Sequence, residues 1–166
     1  MKMRIAGIEK ESFVDGEGIR FAVFVQGCSR HCTGCHNQIT WDHSKGRDME
    51  IEDIVKEFDK NPLLNGITIT GGEPFEQAKG CAELAKMIKA KNKNVWCYTG
   101  FKLEELVRKK DPDINKLLDN VDVLVDGPYK EELRDLDIEF RGSLNQRILH
   151  LDKRRERREK NYGVLL

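Results

Sequence analysis

The chain has 166 residues, and its 29 basic and 29 acidic side chains cancel, so no global field draws it onto nucleic acid or an anionic membrane. The length fits one domain with a sizeable core, and no apolar run approaches the roughly 18 residues of a membrane-spanning helix. The basic start Met1–Ile5 lacks a signal peptide's apolar stretch, and five cysteines with three clustered suit a reducing compartment better than a disulfide framework. The expectation is a soluble cytoplasmic protein that binds neither nucleic acid nor membrane.

Arg4–Ile8 reads as a short first strand, followed by a loop over Ser12–Arg20. Gly16-Glu-Gly18 in that loop is a poor dinucleotide fingerprint, because the third glycine is missing and a strand follows. Phe21–Gly27 is rich in apolar residues and ends in glycine, which predicts a buried strand. After the cysteine-rich segment comes a polar stretch, Asp42–Asp48, and then a helix over Met49–Phe58, with Ile51, Ile54, Val55 and Phe58 at helical spacing and Asp48 as N-cap. Gly66–Thr70 is the next strand and runs into Gly71-Gly72-Glu73-Pro74. A helix over about Phe75–Lys91 leads to a strand at Asn94–Thr99, short helices at Leu103–Lys109 and Ile114–Leu118, and a strand at Val121–Val125. Residues Lys130–Ser143 are irregular and polar, and Arg147–Leu151 is the last strand. Asp152–Lys160 is a mixed charge run that reads as a solvated tail or an exposed helix with internal ion pairs. The domain expected is residues 1–151, with 152–166 as a charged C-terminal tail.

Strands alternating with helices imply an α/β fold with a parallel sheet. With five to six strands, the expectation is an open, partial (β/α) barrel of mostly parallel strands. Ligands of such sheets bind at the carboxyl ends of the strands. Those ends bring Gly27-Cys28, Thr70–Glu73, Tyr98-Thr99-Gly100 and Asp126-Gly127 to one rim. Glycines 71 and 72 allow close backbone approach there, and Glu73 can accept a charge-assisted bond from a ligand ammonium.

Cys28, Cys32 and Cys35 lie among Ser29, Arg30, His31, Thr33 and Gly34, a loop composition rather than a core one. Soft thiolates select zinc, copper(I) or iron–sulfur clusters. Three thiolates can hold an iron–sulfur cubane with one iron left open, or a zinc ion if His31 or His36 completes the set. Cys81, on an apolar helix face, and Cys97, within a strand, read as core thiols.

The spacing of the three cysteines resembles the cluster motif of radical S-adenosylmethionine enzymes, and Gly71–Pro74 resembles the turn that binds the cofactor's amino group in them. More narrowly, Cys35–Trp41, Tyr98–Gly100, Val123–Gly127 and Arg141–Gln146 resemble the activating proteins of anaerobic (class III) ribonucleoside-triphosphate reductases. The resemblance implies Cys28, Cys32 and Cys35 as ligands of a [4Fe–4S] cluster. Gly34, Cys35 and His36 would line S-adenosylmethionine, Gly72 and Glu73 would hold its methionyl amino end, and Thr99 would border it. It also implies hydrogen abstraction from a glycine of the partner reductase, with electrons from a flavodoxin or similar donor. Three rivals are a small-molecule radical enzyme similar to 7-carboxy-7-deazaguanine synthase, an activase for pyruvate formate-lyase, and a non-catalytic zinc-binding module.

Overall fold

Alternation along each strand decides which face of the sheet a side chain serves. The computed structural model describes the backbone of residues 1–162 and the side chains of residues 1–157. Seven strands form one sheet: β1 (Lys2–Ser12), β2 (Arg20–Val25), β3 (Arg47–Glu50), β4 (Gly66–Gly71), β5 (Asn94–Tyr98), β6 (Val123–Asp126) and β7 (Arg147–His150), in the order β3-β1-β2-β4-β5-β6-β7. The pairings β2–β4, β4–β5 and β5–β6 are parallel. Those of β1 with β2, β1 with β3, and β6 with β7 are antiparallel.

The expectation of five to six strands is therefore corrected to seven. The missed strand, β3, is the edge strand Arg-Asp-Met-Glu with two exposed and two half-buried residues. It buries too little to show apolar alternation, and charges on an edge discourage further pairing. Asp48 is not a helix cap: it lies in β3 and accepts from Arg4 Nη1 at 3.2 Å. The helix starts at Ile51, with Glu50 as its extended N-cap residue.

Among the described residues there are five α-helices: α1 (Ile51–Asp59), α2 (Ala78–Lys89), α3 (Leu103–Arg108), α4 (Pro112–Asp119) and α5 (Leu151–Tyr162). Phe21, Val23 and Val25 of β2, Ile67 and Ile69 of β4, Val95 and Cys97 of β5 and Leu124 of β6 share one core with α1 to α4. Cys81 and Cys97 are both 0% exposed within it. The intervening residues face the other way. There Trp96, Val123 and Val125 pack with Tyr98, Ile148 and Phe140, whose ring meets Trp96 edge-on at 5.2 Å. One face of the sheet thus carries helices, and the other is covered around β5–β7 by the irregular segment that contains Phe140. The start of the charged run is helical and docked, since Arg155 donates to Leu118 O at 3.1 Å and Val121 O at 2.9 Å. Residues 163–166 of the expected tail lie outside the described residues.

Arg20, 1% exposed, fixes the end of the sheet away from the cysteines. It donates to Thr68 Oγ1 at 2.8 Å and to the carbonyls of Glu17 (2.9 Å), Ile67 (2.7 Å) and Asn94 (3.1 Å). Burial lowers its pKa to about 10, which leaves it charged at neutral pH. Arg20→Met leaves these acceptors without their donor and is expected to cost about 2–3 kcal/mol in urea unfolding. A loss within about 0.5 kcal/mol, the usual range for a surface change, would refute that role.

Candidate functional site

The cysteine segment leaves the carboxyl end of β2 and is tied down at both ends. Gly27 N donates to Thr40 O at 2.6 Å, and Cys28 N to Trp41 O at 3.1 Å. Ser29 donates from its amide (2.9 Å) and hydroxyl (2.5 Å) to the Glu76 carboxylate, on the short turn Pro74–Gln77 that follows β4. Gly72 lets the two loops touch. A Cβ there would lie 2.3 Å from Gly27 O, far inside contact distance, and next to it Glu73 N donates to that same carbonyl at 2.8 Å.

Between the loops lies a cavity of about 200 Å³ lined by Cys28, Cys32 and Cys35 together with His36, Gly72, Glu73 and Thr99. Of the residues expected at the site, these share one cavity and Gly34 does not line it. A Cβ on Gly34 would instead point at the Glu131 carboxyl carbon, 2.9 Å away. His36 is exposed and meets Tyr129 edge-on at 5.5 Å. His31 is stacked on Trp41 at 4.5 Å and stays off the cavity wall.

Glu73 is 1% exposed. Its Oε2 accepts from Phe75 N at 3.0 Å and its Oε1 from Gly100 N at 2.8 Å, while the Thr99 hydroxyl lies within 3.0 Å of both oxygens. That makes three donors for the roughly four lone-pair sites of a carboxylate, so one site is left for a ligand. Burial pushes the Glu73 carboxyl up to about 7, against the opposing pull of these donors and of the Arg30 guanidinium.

Gly127, Tyr129, Gly142 and Gln146, from or beside two more of the resembling segments, also line the cavity. Asp126, 0% exposed, accepts from Leu103 N at 2.8 Å and from Arg147, which also pairs with Glu104. Gln146 accepts from the amides of Gly142 (2.8 Å) and Ser143 (3.2 Å) and donates to Gly127 O at 3.1 Å. Asp126-Gly127 and Gly142–Gln146 are thus stitched into one wall that carries Tyr129.

Residues not anticipated as site residues also line the cavity, namely Arg30, Trp41, Tyr129 and Gln146. Arg30 Nε, Trp41 Nε1 and Tyr129 Oη are buried without a partner. Three unsatisfied donors around one cavity mark where a polar ligand belongs, because buried donors are otherwise paired.

The thiols suit soft-metal chemistry. Asn37 N points at Cys35 Sγ, 3.4 Å away. The Arg30 and His31 amides favour the Cys28 thiolate, although burial outweighs them and holds its pKa above the usual thiol value. Three thiols on one cavity wall, two of them with backbone N–H groups directed at the sulfur, suit an iron–sulfur cluster bound by three protein ligands.

Residues 14–149 match the family model described as a 4Fe-4S single cluster domain. The anaerobic ribonucleoside-triphosphate reductase-activating protein of Vibrio cholerae is 38% identical over 145 residues, spanning 82% of this chain and 90% of the relative. The chain belongs to this family of activating proteins. Family members so named from Escherichia coli K12 (34% identity, 83% of this chain and 92% of the relative) and phage T4 (32%, 82% and 86%) match over the same extent. Among solved structures, QueE from Escherichia coli overlays on 60% of this chain and 52% of its own at TM-score 0.46 and 17% identity. Among the described residues, no helix of this family member is long and apolar enough to cross a membrane.

Proposed function

We propose that the chain is a glycyl-radical activating enzyme for an anaerobic ribonucleoside-triphosphate reductase, with a [4Fe–4S] cluster and S-adenosylmethionine as cofactors. The observation that carries the reading is that three thiols, a Gly-Gly-Glu turn and unsatisfied donors share one cavity at the carboxyl ends of parallel strands. Family membership supplies the reaction class and the partner. When bound, the cluster would supply the electron for reductive cleavage of S-adenosylmethionine, the chemistry by which a hydrogen is taken from a glycine α-carbon of the reductase.

The chain's own residues bind and orient. Cys28, Cys32 and Cys35 hold the cluster. Glu73 accepts from the methionyl ammonium with its spare lone pair, while Thr99 and the Gly100 amide keep that carboxylate aimed. Gly72 brings the turn against the cysteine loop. His36 and Tyr129, on the cavity wall, would border the cofactor. A small electron donor such as a flavodoxin would supply the cluster's electron. A cytoplasmic location is supported by five unpaired cysteines.

The sheet ends in two separate edge strands, β3 and β7, and we read it as a partial barrel open on that side. We take residues 1–151 as the catalytic unit, with the charged run from Asp152 continuing as helix α5, which docks on it through Arg155. The segment Lys130–Ser143 presents Leu136, 79% exposed, which suits a surface that meets a protein partner. Mixing the reduced holoenzyme, S-adenosylmethionine and the cognate reductase is expected to give a glycyl radical signal by electron paramagnetic resonance, lost when the reductase's glycine is replaced. Absence of that signal, with a small molecule alone driving 5′-deoxyadenosine formation, would favour the metabolite enzyme. Zinc without iron after anaerobic purification would favour the zinc module.

A further inference from the structure

We propose that Arg30 receives the methionyl carboxylate of S-adenosylmethionine and so fixes the amino-acid end of the cofactor. The proposal rests on the reading of the site above. Arg30 stands between Cys28 and Cys32 and is the single lysine or arginine on the cavity wall among the described residues. Its side chain is held rather than free. The guanidinium lies over the Phe101 ring at 4.4 Å, and the stem packs on Gly100, where a Cβ would come within 2.5 Å of Arg30 Cδ. Nη2 lies 3.7 Å from Glu105 Oε2, whereas Nε is buried with no acceptor. Arginine presents Nε–H and a neighbouring Nη–H as a fork that matches the two oxygens of a carboxylate. Glu105 is within reach of Nη2 only, and leaving the buried Nε–H unpaired is costly, so its acceptor is expected to arrive with the ligand.

The neighbour of Arg30 narrows that ligand. A Cβ on Gly100 would lie 2.5 Å from Arg30 Cδ and 3.5 Å from Glu73 Oε1. A fixed cation and a carboxylate with a spare lone pair therefore both lie beside Gly100. An amino-acid zwitterion carries ammonium and carboxylate on one carbon and matches both. A phosphate or a simple carboxylate would satisfy Arg30 and leave Glu73 without its partner.

Equilibrium dialysis of the reconstituted holoenzyme under anaerobic conditions tests this, with S-adenosylmethionine and its decarboxylated analogue as probes. Arg30→Gln is expected to weaken S-adenosylmethionine about ten- to hundredfold, the span of one lost charge-assisted contact. The analogue, which keeps ammonium and sulfonium, should bind wild type and variant within about twofold, as expected when the altered group touches only the missing one. Iron and sulfide contents should be unchanged. Arg30→Lys keeps the charge without the fork and should fall between, and it carries the test if the glutamine variant does not hold its cluster. Equal losses for both probes, or no loss for either, would overturn the assignment. Wild-type holoenzyme with a full cluster that binds neither probe would instead overturn the cofactor reading beneath it.

Discussion

Cys32→Ala is expected to remove most of the iron and all reductive cleavage of S-adenosylmethionine, whereas Cys81→Ala and Cys97→Ala should keep both. Cys28, Cys32 and Cys35 line one cavity, and a cubane left with two protein thiolates is not retained. The other two thiols are 0% exposed in the core between sheet and helices, and burial pushes both of their pKa values up. Removing either leaves a small void at a cost of about 1–3 kcal/mol, visible in unfolding and absent from catalysis. The measurements are iron, sulfide and zinc contents after anaerobic purification, together with 5′-deoxyadenosine formation under reductant. A full cluster and full turnover in Cys32→Ala would remove that thiol from the site.

The sequence made the rim legible because two strong signals coincide there. Buried parallel strands such as Phe21–Val25 and Ile67–Thr70 are near-continuous apolar runs, and their carboxyl ends can be read directly. The edge strand Arg47–Glu50 left no such signal, since an edge buries little and needs no alternation. Glu73 could be placed by its motif. Its bonds to Thr99 and Gly100 span 26 and 27 residues, and no local pattern encodes a contact across the β4–β5 crossover. Arg30 was visible only as one polar letter of a cysteine loop. Its unpaired Nε and its place against Gly100 depend on how β2 and β5 sit side by side around β4. Gln146 follows the same logic, because its side chain closes a turn onto Gly127, 19 residues earlier.

Glu73→Gln is expected to weaken S-adenosylmethionine about ten- to hundredfold at pH 7.5, the worth of one charge-assisted bond, and to erase the acid limb of its binding profile. Burial raises the Glu73 pKa from the usual 4.5 to about 7 in the free protein. A bound ammonium favours the ionised form and lowers it again. Binding below that pKa therefore releases a proton, and affinity falls by up to about tenfold per unit as pH drops, starting near pH 7. The cofactor's own α-amino group, near the roughly 7.7–8.0 of such groups, limits binding from the alkaline side. The groups acting on Glu73 do not blur this assignment. Cys81 and Cys97 are held neutral by burial, and Cys28, as a proposed cluster ligand, would not titrate in the holoenzyme. In the metal-free protein the same raised pKa works against stability. The unfolded chain gives up this proton near pH 4.5 and the folded one only near 7, so this group's contribution to stability declines between those values and is constant above them. Binding titrations of holoenzyme from pH 6 to 8 separate the cases. Wild-type affinity should rise to a maximum near pH 7.5, and the glutamine variant should be flat from 6 to 7 with its iron content intact. Parallel profiles for the two proteins, or equal affinities at pH 7.5, would take Glu73 out of the ammonium site and leave it the task of aiming Thr99 and Gly100.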